Sequence, residues 1–127
     1  GFPDTRWING VDPGLRVMGE RDSLHRLFAN LLRNALQAMN AAQPAVLQVD
    51  AELRDGRVTV RVSDTGSGIP DHIRTQLFKP FSGSGAPGST GLGLTIAREL
   101  AELMGGSLDL AQTGPDGTVF VVELPGA

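Results

Sequence analysis

Two asparagines four residues apart, Asn30 and Asn34, fall on one face of a stretch patterned as a helix, with Arg33 next to the second. An amide carbonyl is a hard oxygen ligand suited to Mg²⁺, an ion that keeps several waters and shares itself with ligand phosphates. A merely solvated helix face would use the same residues, so the pair alone decides nothing. A second cluster, Asp64-Thr65-Gly66-Ser67-Gly68-Ile69-Pro70, sets a carboxylate ahead of two glycines spaced by one residue. Glycine lets the backbone come close to a ligand. The carboxylate can accept a hydrogen bond from an exocyclic amine and would repel a carbonyl oxygen in that place, which favours adenine over guanine. A charged hydrogen bond of this kind contributes about 1.5–3 kcal/mol. An ordinary turn has the same composition. The third cluster, Ser89-Thr90-Gly91-Leu92-Gly93-Leu94, stands where a floppy stretch becomes a helix. Free amides at a helix start, with the positive end of its dipole, attract anions. No Gly-Lys-Ser/Thr follows and no parallel strand-helix-strand unit surrounds it, so the two common phosphate-loop patterns are excluded.

These clusters need a scaffold that brings them together. Leu24, Leu27, Phe28, Leu31, Ala35, Ala38 and Met39 recur at helical spacing between Glu20 and about Ala42, with Asp22 or Ser23 at the start and Gln43-Pro44 as a stop. Leu47, Val49, Ala51 and Leu53 then alternate with polar residues, and Val58, Val60 and Val62 do so again after Asp55-Gly56, which reads as a hairpin with one buried face. A short helical turn is expected near 71–77, and the Gly/Ser-rich run 82–89 has nothing with which to build a core. Leu92, Ile96, Ala97, Leu100, Leu103 and Met104 mark a second helix ending at Gly105-Gly106. Strands near 107–111 and 118–124 follow, joined by Gly114-Pro115-Asp116-Gly117. The order of elements predicts an α+β fold, a two-layer sandwich whose mixed, mainly antiparallel sheet is covered on one face by helices. Residues 1–19 mix Gly, Pro and Asp with the apolar pieces Trp7-Ile8 and Leu15-Arg16-Val17-Met18 and suit an entry segment with one short edge strand; 1–14 read as linker and 1–127 as a single domain.

Composition narrows the classes. The net charge is −3 and Lys79 is the one lysine, so a nucleic-acid surface is not expected and a phosphate ligand must be held largely by amides or a metal. The absence of cysteine excludes disulfides and thiolate metal sites. No apolar run approaches the roughly 20 residues that span a bilayer, and no secretory leader pattern is present, so no membrane contact and a cytoplasmic setting are expected.

Taken in order, the clusters resemble the catalytic ATP-binding domain of bacterial sensor histidine kinases, within the gyrase-like (GHKL) ATPase superfamily and its Bergerat-type fold. Asn30-Leu31-Leu32-Arg33-Asn34-Ala35 is similar to the N box, Asp64-Thr65-Gly66-Ser67-Gly68-Ile69 to the G1 box, Leu77-Phe78-Lys79-Pro80-Phe81 to the F box, and Thr90-Gly91-Leu92-Gly93-Leu94-Thr95-Ile96-Ala97 to the G2 box. Gly117-Thr118-Val119-Phe120 resembles the closing strand, and the N-box wording lies nearest the nitrogen-regulation kinases. The resemblance implies ATP and Mg²⁺ as ligands, Asn34 on the metal, Asp64 on the adenine amine and Thr118 in support of Asp64. It implies that Gly66, Gly68 and Ile69 shape the adenine pocket, that Gly91, Leu92, Gly93 and Leu94 lie along the phosphates, and that 82–90 is the lid. Arg33 and Lys79 are candidate phosphate contacts. It further implies transfer of the γ-phosphoryl group to a histidine on a helical dimerisation domain of the same kinase, and a response regulator downstream.

Some positions depart from the family. Gln37 and Ala38 stand where many members have a lysine and an aromatic, and the lid run carries no charge. The superfamily's hydrolases place a glutamate base four residues before the metal asparagine; Asn30 stands there, and an amide cannot serve as that base. Neither His25 nor His72 has the surroundings of a phosphoacceptor. A nucleotide-switched binding module and a serine kinase of the anti-sigma type remain as alternatives.

Overall fold

The computed structural model describes residues 5–10, 21–38, 45–66, 68–69, 78 and 93–126. In chain order these form β1 (Thr5–Gly10), α1 (Arg21–Ala38), β2 (Ala45–Arg54), β3 (Arg57–Asp64), α2 (Gly93–Leu103), β4 (Ser107–Gly114) and β5 (Gly117–Pro125). The strands make one five-stranded sheet in the order β1-β2-β3-β5-β4. Only the β1–β2 pair is parallel; β2–β3, β3–β5 and β4–β5 are antiparallel. The expected α+β sandwich is therefore present, and the edge strand lies at Thr5–Gly10.

Alternation explains how the sheet buries one face. Along β3, Val58, Val60, Val62 and Asp64 point inward; along β5, Thr118, Phe120, Val122 and Leu124 do the same. Register pairs these rows residue for residue, from Val58 with Leu124 to Asp64 with Thr118. Leu27, Leu31 and Ala35 of α1 and Ala97 and Ala101 of α2 close the core against them, with Leu47 and Leu108 from the flanking strands. Each large side chain buried in this way contributes about 1.5–3 kcal/mol.

The ends of the elements follow local chemistry. Asp55 and Gly56 both take positive φ, 52° and 77°, as a two-residue hairpin turn of the twisted kind requires. Asp22 sits in the first turn of α1, where its charge meets the positive end of the helix dipole. Helix α2 stops at the expected glycines: the Gly106 amide donates to Ala101 O at 2.8 Å and the Gly105 amide to Glu102 O at 3.0 Å.

Two apolar residues leave the stripes that the sequence suggests. Leu103 is 83% exposed, because the buried stripe of α2 runs through Ala97 and Ala101 and Leu103 lies about 120° around the helix from Ala97. Leu53, one residue from the end of β2 at the hairpin tip, is also exposed. Among the described residues no helix is long and apolar enough to cross a membrane.

Candidate functional site

The inward row of β3 ends on a carboxylate. Because side chains alternate, Asp64 occupies the place where the next apolar residue of the row would stand, and it is only 6% exposed. Its Oδ1 accepts a hydrogen bond from the Gly66 amide at 2.9 Å, and the Thr118 amide also donates to the carboxylate. Burial pushes the Asp64 carboxyl above its ordinary value, and these two amides work against that rise. A carboxylate offers about four acceptor positions. Two main-chain donors leave acceptor capacity for an exocyclic amine.

The loop after Asp64 is fastened from two sides. Thr65 Oγ1 accepts from the Val46 amide at 2.8 Å, tying the loop to the start of β2. The Ile69 amide donates to Thr113 Oγ1 at 2.8 Å, and Thr113 Oγ1 lies 2.9 Å from Thr118 Oγ1. Gly68 has φ +86°, and a Cβ there would meet the Gly114 carbonyl oxygen at 2.3 Å. Across the same contact, a Cβ on Gly117 would come within 2.0 Å of Asp64 O. The end of the β4–β5 hairpin thus presses on the loop, and both contacts leave room only for glycine.

The helical side of the site is organised around α1 and the first turn of α2. Asn30 and Asn34 lie one turn apart on α1, each half-buried, whereas Arg33 between them is exposed. Asn30 Oδ1 stands 3.9 Å from where a Cβ on Gly93 would be, so the first helix faces the opening residue of the second. Leu94 packs against the core. Phe78 is held edge-on to Phe120, at 6.5 Å between centroids and 82° between planes, with the Arg98 guanidinium 4.4 Å from its ring centre and Thr95 Oγ1 donating to its carbonyl at 2.9 Å.

Of the residues singled out in the sequence, Asp64, Gly66, Gly68, Ile69 and Thr118 are thus linked through direct or shared contacts, and Asn30 meets Gly93. Gly91, Leu92, Lys79, His72, the 71–77 turn and the 82–90 run lie outside the described residues, and His25 is exposed on α1. Sequence reasoning gave no role to Thr113, Thr65, Thr95 or Arg98; Thr65 and Thr95 carried a signal, their places inside the runs similar to the G1 and G2 boxes, and Thr113 and Arg98 carried none.

Comparison with known proteins adds a family. Residues 19–127 match the family described as histidine kinase-, DNA gyrase B-, and HSP90-like ATPase. The chain is 39% identical over 111 residues to the C4-dicarboxylate transport sensor protein DctB of Rhizobium meliloti, covering 87% of this chain and 18% of DctB. It is 35% identical over 135 residues to the sensory histidine kinase/phosphatase NtrB of Escherichia coli O157:H7, covering 98% of this chain and 38% of NtrB. The chain therefore spans a minor part of these relatives. Among solved structures it is similar to the mycobacterial sensor histidine kinase MprB, with a TM-score of 0.83 and 28% identity over 98% of this chain and 86% of that one. It is also similar to full-length ShkA in complex with AMPPNP, with a TM-score of 0.81 and 27% identity over 97% of this chain and 26% of that one.

Proposed function

This chain belongs to the histidine kinase-, DNA gyrase B- and HSP90-like ATPase family as an ATP-binding domain, and on that premise we propose that it holds Mg-ATP around Asp64 for phosphoryl transfer to a protein histidine. The observation that carries the reading is the burial of Asp64 at the end of an otherwise apolar row, with the Gly66 amide on its Oδ1 and acceptor capacity left over. A charge in that position disfavours the fold, and recognition of an adenine amine gives it a use. Thr118 supports the carboxylate with its amide, and Gly66, Gly68 and Ile69 form the wall beside it. Gly91, Leu92, Gly93 and Leu94 offer main-chain amides to the phosphates.

Asn34 contributes an amide oxygen to Mg²⁺, which when bound neutralises phosphate charge. Among the described residues no group of three or more His, Cys, Asp or Glu is placed to hold a metal. Arg33, exposed on the same helix, is available to the phosphates. Asn30 offers no base for activating water, which favours transfer to a protein acceptor over hydrolysis. The acceptor is a histidine on a helical dimerisation domain of the same kinase, the setting is cytoplasmic, and a response regulator receives the group afterwards; the name of NtrB, a sensory histidine kinase/phosphatase, supports this reading. Here residues 1–127 act as one domain, with Thr5–Gly10, inside the expected 1–14 linker, serving as its edge strand.

The test joins this domain to a matching dimerisation domain and supplies ATP labelled in the γ-phosphoryl group. Acid-labile label on the protein, as phosphohistidine gives, is expected, and Asp64→Asn should abolish it. An acid-stable label would overturn histidine transfer in favour of a hydroxyl acceptor, and no label at all would leave a binding module.

A further inference from the structure

We propose that Thr113 is a positioning residue for the nucleotide site, placed there by a bulge in β4; the nucleotide arm of this proposal rests on the reading of Asp64 above. The β4–β5 register runs from Ser107 opposite Glu123 to Leu110 opposite Phe120 and then shifts, so that Gln112 stands opposite Val119 and Thr113 opposite Thr118. Were Ala111 paired with Val119 in unbroken register, Gln112 would stand opposite Thr118. A bulge inserts one residue on one strand and re-aims the side chains beyond it. Here it exchanges a long amide for a short hydroxyl beside Thr118, the residue whose amide holds the Asp64 carboxylate.

That hydroxyl joins two parts of the site. On one side it accepts the Ile69 amide at 2.8 Å, which fixes the far end of the loop that begins at Asp64. On the other it shares a hydrogen bond with Thr118 Oγ1 at 2.9 Å, which limits the directions in which that second hydroxyl can turn. The next residue, Gly114, lies against Gly68, so Thr113 acts where the hairpin and the loop are already in contact. Its removal would leave the Ile69 amide without its partner while the glycine contact and the paired strands keep the surrounding backbone in place. The effect is then on the set of the loop rather than on the fold.

Three variants and two nucleotides test this. Thr113→Val keeps a β-branched side chain in the strand and deletes the hydroxyl, whereas Thr113→Ser keeps the hydroxyl. Calorimetry should show Thr113→Val binding ATP about tenfold more weakly, Thr113→Ser within about twofold of the wild type, and a reduced preference of Thr113→Val for ATP over inosine triphosphate, which has a carbonyl in place of the amine. Without nucleotide, the Ile69 amide should exchange about tenfold faster in Thr113→Val than in the wild type or Thr113→Ser. Wild-type ATP affinity in Thr113→Val, or failure of serine to restore it, would overturn the proposal even if Ile69 exchanged faster. Asp64→Asn run alongside separates the two claims. If the wild type and Asp64→Asn bind ATP and inosine triphosphate alike, the adenine contact of Asp64 falls, and Thr113 stands only if Thr113→Val still weakens both nucleotides tenfold.

Discussion

The two ends of the β3–β5 ladder follow the same alternation and are used in opposite ways. At one end Val58 faces Leu124, both essentially inaccessible, in the apolar core. At the other end the register places Asp64 opposite Thr118, buried almost as deeply, with the carboxylate held by main-chain amides and, among the described residues, by no counter-charge. The first pair stabilises the fold by removing apolar surface from water. The second sets a group that prefers water in a place from which water is largely removed. Stability and recognition are thus divided along a single pair of strands, and the division can be tested end by end.

The largest expected effect is at the apolar end. Leu124→Ala should lower the unfolding free energy by about 2–5 kcal/mol, because a fully buried leucine is replaced by a cavity. Urea titration measures the loss, and the fraction that remains folded should bind ATP with unchanged affinity. Weakened binding by folded Leu124→Ala would show that the two ends are coupled and would undo the division.

A smaller effect is expected from pH at the polar end. The folded Asp64 carboxyl is raised above its ordinary value by burial, so the folded state takes up its proton at a higher pH than the unfolded chain does. Asp64 therefore destabilises the fold above its raised value, the penalty shrinks as pH falls through that value, and it is gone once both states are protonated in the ordinary carboxylate range. Melts of the wild type and Asp64→Asn across this window should show wild-type stability improving relative to the variant as pH falls. A constant difference between them would mean that Asp64 carries no such penalty.

Much of this arrangement could be read from residue types and spacing. The alternation Val58, Val60, Val62 leads directly to Asp64, so the buried place of the carboxylate is written in the same period that defines the strand. Asp55-Gly56 marked its turn, and Gly105-Gly106 marked the end of α2. What the sequence hid came from departures in period and from contacts between distant segments. The bulge at Ala111 breaks the alternation of β4, so simple counting assigns Gln112 to the place that Thr113 takes. Leu103 looks like part of an apolar stripe until Ala101 shows where the stripe runs. The parallel pairing of β1 with β2, from Thr5 opposite Ala45 to Gly10 opposite Asp50, and the ring contacts of Phe78 with Phe120 and Arg98 all join residues far apart in the chain; no local pattern encodes either.

The central claim is that Asp64 serves ligand recognition and not the fold, and titration calorimetry of Asp64→Asn with Mg-ATP, paired with its melting temperature, tests it most directly. Heat of binding should disappear, or affinity drop by about tenfold to a hundredfold, while the melting temperature stays within a few degrees of the wild type or rises. A variant that binds Mg-ATP with wild-type affinity would contradict it.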